Sequence, residues 1–104
     1  MRGFMALVKV ASVNDLKPGN AKVVSANGTP VALYNVDGKF FATTNTCPHR
    51  GGPLGEGFLE GSVITCPWHG WQFDVTTGVS PVVPTAKAQP FSVVVQGSDV
   101  LVDV

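Results

Sequence analysis

The chain contains two cysteines and two histidines, and they fall into two pairs: Cys47-Pro48-His49 and Cys66-Pro67-Trp68-His69, separated by residues 50–65. Each pair offers one thiolate and one imidazole from a short loop. The intervening chain is long enough for a hairpin, so the four side chains can close on one centre from opposite sides. All the cysteine and histidine of the chain is used in this way, which makes a chance grouping improbable. Zinc accepts two thiolates and two imidazoles, but its common structural spacing puts the two cysteines in one element and the two histidines in another.

The mixed pairing suits an asymmetric di-iron unit instead, a [2Fe-2S] cluster with Cys47 and Cys66 on one iron and His49 and His69 on the other. The two segments, Cys47-Pro48-His49-Arg50-Gly51-Gly52-Pro53-Leu54 and Cys66-Pro67-Trp68-His69-Gly70-Trp71-Gln72-Phe73-Asp74, resemble the C-x-H and C-x-x-H loops of the Rieske family. The resemblance runs from Asp15-Leu16-Lys17-Pro18-Gly19 to the last strand. It implies one cluster per chain, bound by Cys47, His49, Cys66 and His69 at one tip of a β-sandwich. It also implies that both imidazoles coordinate through Nδ1, with their Nε2 edges near solvent as the electron gateway.

Formal charges explain what imidazole contributes. Two ferric ions, two sulfides and two thiolates sum to zero with neutral histidines, so reduction leaves a single negative charge. With four thiolates the same step would begin from two negative charges. Rieske centres accordingly lie at roughly −150 to +300 mV, against about −400 mV for plant-type ferredoxins. The family's respiratory members add a disulfide between the loops, and a Ser and a Tyr that donate to the cluster sulfurs. Here there is no further cysteine, and the matching positions are Trp71 and Phe73. With fewer donors to the sulfurs, the low end of the range is expected. Electron uptake should couple to proton uptake at alkaline pH, because binding to ferric iron acidifies the remote imidazole N–H.

Rigid elements must hold these loops. Helical periodicity is nearly absent, and short runs rich in Val, Phe, Tyr and Thr recur between turn residues, so the expected class is all-β, a sandwich or barrel. Strands are expected at Phe4 to Ala11, Ala21 to Ala26, Pro30 to Val36, Lys39 to Thr43, Ser62 to Thr65, Trp71 to Val75, Pro90 to Gln96 and Val100 to Val104. Asn27-Gly28, Asp37-Gly38 and Gly97-Ser98 suit tight hairpin turns. One helical turn over Val13 to Leu16, capped by Ser12, competes with a plain loop. The cluster loops are about 46–57 and 66–71, and Ser80-Pro81-Val82-Val83-Pro84 resembles the family's proline loop on a third side. Gly51, Gly52, Gly55 and Gly70 would let backbone N–H groups approach the sulfides, while Pro48, Pro53 and Pro67 would stiffen the loops. Trp68 is a candidate docking aromatic and Trp71 a core residue. Arg50 either steers an acidic partner or pairs with Glu56, Glu60 or Asp74.

The 104 residues fit one domain spanning 1–104. Seven Lys and Arg balance seven Asp and Glu, without the basic excess that would point to nucleic acid or an anionic membrane. No stretch is long and apolar enough for a transmembrane helix, and a cytoplasmic monomer is expected. Only two histidines exist, both already assigned. The chain therefore cannot build a mononuclear iron site of two histidines and a carboxylate, and is read as a carrier rather than an enzyme. The resemblance implies that it passes electrons from a flavin-dependent ferredoxin reductase to a terminal oxygenase of an aromatic-ring dioxygenase system, docking each at the His49/His69 tip. The small subunit of an assimilatory nitrite reductase is the alternative within the family. A zinc-stabilised binding module and a cluster-dependent sensor are the alternatives outside the carrier role.

Overall fold

The computed structural model describes residues 7–48, 51–68 and 70–104; the expectations placed on residues 4–6, His49, Arg50 and His69 lie outside the described residues. Its strands are β1 (Leu7–Ser12), β2 (Ala21–Ala26), β3 (Thr29–Val36), β4 (Lys39–Thr44), β5 (Phe58–Glu60), β6 (Val63–Thr65), β7 (Gln72–Asp74), β8 (Pro90–Phe91), β9 (Val93–Gln96) and β10 (Asp99–Asp103). They form three antiparallel sheets, ordered β1-β10-β9, β2-β3-β4-β8 and β5-β6-β7. The all-β class follows. Among the described residues no helix is long and apolar enough to cross a membrane.

Local chemistry sets the hairpins. Asn27 and Gly28 have φ of 53° and 83°, and Asp37 and Gly38 have 51° and 92°. Two successive positive φ values are what a type I′ turn requires, and the flanking pairs Ala26↔Thr29 and Val36↔Lys39 close directly on these two-residue loops. Asn35 is buried and has its polar atoms occupied. Its Nδ2 donates to the Leu16 carbonyl at 2.8 Å, and its Oδ1 accepts from Gly38 N–H at 2.8 Å. The short helical turn exists as a 3₁₀ turn over Val13–Asp15. The Ser12 N–H donates to the Asp15 carboxylate at 2.9 Å.

Strand β3 is buried on both faces, and its period of two sends neighbours into different cores. Val31 and Leu33 join Val24, Ala26, Ala42, Val100 and Val102 between the two larger sheets. Ala32 and Tyr34 join Cys47, Leu54, Ile64, Cys66, Phe73 and Val75 on the other side. The small sheet β5-β6-β7 thereby sits on the back of the larger one and carries Cys66 in its β6–β7 loop, while Cys47 follows the end of β4.

Two expectations about strands are corrected. The run Pro90 to Gln96 is not one strand: β8 pairs with β4, whereas β9 pairs with β10 in another sheet. The chain turns this corner at Ser92, whose carbonyl accepts from Asp103 N–H at 3.0 Å. Strands that pass from one layer to the next bend in this way. Strand β5 was not expected, because its three residues follow the glycine-rich loop and are too few to show a period. It is specified by pairing, Phe58↔Thr65 through Glu60↔Val63.

Candidate metal centre

The first loop is a narrow hairpin grown from the end of β4. An isolated bridge joins Thr46 and Pro53. Above it, Cys47 N–H donates to the Gly52 carbonyl at 2.9 Å and Gly51 N–H to the Cys47 carbonyl at 2.8 Å. Below it, Leu54 N–H donates to the Asn45 carbonyl at 2.8 Å. The loop then folds into a 3₁₀ turn, Leu54–Glu56, with Leu54 fully buried. The second loop joins β6 to β7 and is closed by Cys66 N–H donating to the Trp71 carbonyl at 2.7 Å.

These loops bring Cys47 and Cys66 together. Both thiols are free and each residue is only 2% exposed, and the two are neighbours in the same core. Burial pushes the Cys66 thiol up, a backbone hydrogen bond at Trp68 pulls it back in part, and the neighbouring Cys47 adds to the rise. Two neighbouring buried thiols are poorly placed as thiolates unless a cation shares them, and a metal ion deprotonates its thiol ligands outright. Gly52 explains how the loops come so close. A Cβ there would lie 2.7 Å from the Cys66 sulfur and 3.0 Å from Trp68 Cγ. Thiol donors and glycine cradle therefore fit one iron of a [2Fe-2S] cluster. The imidazole half of the expected set, His49 and His69, lies outside the described residues.

The proline loop forms a third side. Ser80 is buried, and its Oγ accepts from Val82 and Val83 N–H at 3.3 and 3.0 Å. Between this loop and the second cluster loop lies a pocket of about 110 Å³, lined by Gly70, Trp71, Gln72, Ser80, Val82 and Val83. Val82 of this lining is exposed, as is Trp68 on the second cluster loop, while Trp71 packs against the second core. Phe73, one of the two positions without a hydroxyl, is fully buried.

Gly55 does not serve the cysteines in the way expected of it. Its N–H donates to Asn45 Oδ1 at 2.8 Å. A Cβ there would meet Val23 Cγ2 at 2.8 Å and the Lys22 carbonyl at 2.9 Å, so the glycine is required by β2.

Two groups near the site escaped sequence reasoning. One is Asn45. The other is a buried hydroxyl chain behind Cys66: Tyr34 Oη lies 2.9 Å from Thr43 Oγ1, which donates to the Thr44 carbonyl at 2.9 Å. Burial holds the Tyr34 phenol far above its ordinary range. The Thr43 bond offsets part of this, and the proximity of Cys66 adds to it.

The comparisons agree with this geometry. Residues 6–99 match the family model described as Rieske [2Fe-2S] domain. The ferredoxin component of biphenyl 2,3-dioxygenase from Rhodococcus jostii (strain RHA1) is 41% identical over 100 residues, covering 95% of this chain and 94% of that one. In a solved complex of reduced oxygenase and oxidized ferredoxin in carbazole 1,9a-dioxygenase, the matching chain is 37% identical with a TM-score of 0.87, covering 96% of this chain and 94% of that one. The terminal oxygenase of carbazole 1,9a-dioxygenase from Nocardioides aromaticivorans IC177 matches at 26% identity and a TM-score of 0.86, over 94% of this chain but only 30% of that one. Paired buried cysteines at one end of a two-core β scaffold and a family match over nearly the whole chain lead to one conclusion: the chain belongs to the Rieske [2Fe-2S] domain family.

Proposed function

We propose that the protein is a one-electron carrier, the ferredoxin component of an aromatic-ring dioxygenase system, taking electrons from a flavin-dependent reductase and passing them to a terminal oxygenase. The observation that carries this is the pair of buried, free, neighbouring thiols of Cys47 and Cys66 in one core. Relatives of this length are ferredoxin components of such systems, and a similar chain has been solved with its oxygenase. Both favour the carrier over a nitrite reductase subunit or a zinc module.

Cys47 and Cys66 would hold one iron, and His49 and His69 the other, one cluster per chain. When bound, the cluster supplies a centre that changes by one electron. The chain's own residues do the rest. Burial of both cysteines keeps water from the sulfur side, and Gly52 lets the two loops close to contact. Trp68 and Val82, 49% and 69% exposed, offer apolar surface on the second cluster loop and the proline loop against which each partner can dock and leave. Transient docking suits a cytoplasmic monomer that must release one partner before meeting the next.

Anaerobically purified protein should contain iron and inorganic sulfide at about two each per chain, be red-brown, and give a rhombic EPR signal when reduced. The reduced protein should transfer one electron to a dioxygenase terminal oxygenase in a single turnover. A colourless protein with zinc and no sulfide would overturn the reading.

A further inference from the structure

Asn45 is the first residue after β4, and it meets the far end of the cluster loop twice. Its carbonyl accepts from Leu54 N–H at 2.8 Å, and its side-chain Oδ1 accepts from Gly55 N–H at 2.8 Å. These are the first two N–H groups of the Leu54–Glu56 turn, which have no partner within the turn. The residue that precedes the turn is Pro53, which makes no side-chain cap bond. Both Leu54 and Gly55 are buried, so neither N–H has water as a substitute, and an unmet donor there is costly. Asn45 is thus a helix cap supplied from the opposite side of the hairpin.

The place of this cap gives it a second consequence. Gly55 is pressed onto the Lys22 carbonyl and the Val23 side chain, so its position is set by β2. The Oδ1 bond therefore pins the end of β4 to β2 across the base of the loop. Above that base the hairpin ascends in single steps, Thr46 to Pro53 and then Cys47 to Gly52. Cys47 lies two residues from the pinned position, and Gly52 lies against the Cys66 sulfur. A shift at the base is carried to both thiols.

We propose that Asn45 is a positioning residue for the cluster: its Oδ1, by capping Gly55 N–H, fixes where Cys47 presents its sulfur, without touching the metal itself. This rests on the reading of Cys47 as a ligand. The test uses the cluster-loaded protein with Asn45→Ala, which removes the acceptor, and Asn45→Asp, which keeps an oxygen at the same reach. Iron and sulfide per chain, the half-time of cluster loss to a chelator, and the EPR line shape are read for each. Asn45→Ala should lose its cluster roughly tenfold faster than the parent, in line with groups that orient a metal ligand, and broaden the EPR signal. Asn45→Asp should restore both. An alanine variant indistinguishable from the parent, or an aspartate variant as defective as alanine, would overturn the proposal. If Asn45→Ala fails to accumulate folded, Asn45→Gln, which displaces the oxygen by one methylene, takes its place with the same outcomes. Cys47→Ser separates the two readings. If it keeps full iron and sulfide, the ligand assignment is wrong and the proposal falls with it. If it loses them while the Asn45 variants match the parent, only the role of Asn45 is refuted.

Discussion

Val31 and Leu33 of β3 point into one core, and their chain neighbours Ala32 and Tyr34 into the other. The two cores are built on different terms. The first is filled by buried aliphatic residues from β1, β2, β3, β4 and β10 together with Leu16, and apolar area alone can hold it. The second contains two cysteines, a tyrosine and the loop residue Leu54. Apart from Ala32 and Tyr34 of β3, its buried members come from short three-residue strands and irregular loops, held by single hydrogen bonds and close glycine contacts. A scaffold stabilised by diffuse burial can carry a tip specified by a few directed contacts, because alternate residues of β3 are buried in separate cores.

The largest separation between the regions should come from Leu33→Ala. Leu33 is fully buried in the aliphatic core, and its truncation should cost about 2–5 kcal/mol, read as a fall in the urea midpoint. The EPR line shape of the remaining folded protein should not change. An altered line shape would show that the cores are coupled through β3.

Gly52→Ala should act in the opposite sense. The added methyl would sit 2.7 Å from the Cys66 sulfur, an overpacking of about 1–3 kcal/mol placed on the tip alone. Iron and sulfide content should fall, while far-UV circular dichroism of the β body stays that of the parent. Full cluster content would mean that the loops can part without cost.

Tyr34 tests the polar part of the second core. It is the chain's single tyrosine, so its ionisation can be followed by ultraviolet difference absorbance without overlap. Its folded pKa is raised above the ordinary 10.0, so above that pH the unfolded chain releases a proton that the folded chain retains. The stabilisation is complete below pH 10.0 and is lost as pH rises from there towards the folded value, at up to about 1.4 kcal/mol per pH unit. Tyr34→Phe should remove this alkaline slope and, near neutrality, cost about 0.5–1.5 kcal/mol for the bond to Thr43. Ionisation of Tyr34 in the native protein near pH 10.0 would contradict its burial.

The same contrast explains what could be read in the sequence. The hairpins were legible because Asn27-Gly28 and Asp37-Gly38 sit between apolar runs, and a two-residue turn admits few alternatives. The cysteine pairing was legible because residue type and spacing are themselves the signal. What escaped depends on contacts between distant residues. Asn45 looks like any polar loop residue until Gly55 returns to it ten positions later. Tyr34 reads as an ordinary strand aromatic, and only the fold places Thr43 opposite it and Cys66 near it. The break between β8 and β9 left no local mark, since Pro90 to Gln96 has strand composition throughout and only the packing of two sheets requires a corner at Ser92.

The smallest effect belongs to the outer surface of the body. Lys9 Nζ on β1 lies 3.1 Å from Asp99 Oδ1 on β10, with the side chains 56% and 46% exposed. Water and salt screen such a pair, and ordering two flexible side chains offsets much of the attraction. Lys9→Ala should therefore change stability by less than about 0.5 kcal/mol, with the difference vanishing in high salt and the cluster's midpoint potential unmoved. The strand pairing Leu7↔Asp103 through Ser12↔Asp99 does not need the ion pair, because backbone hydrogen bonds and the buried Val100 and Val102 set it. A loss several times larger, persisting in high salt, would mean that the body too depends on directed polar contacts, and the contrast between the two cores would fail at its stable end.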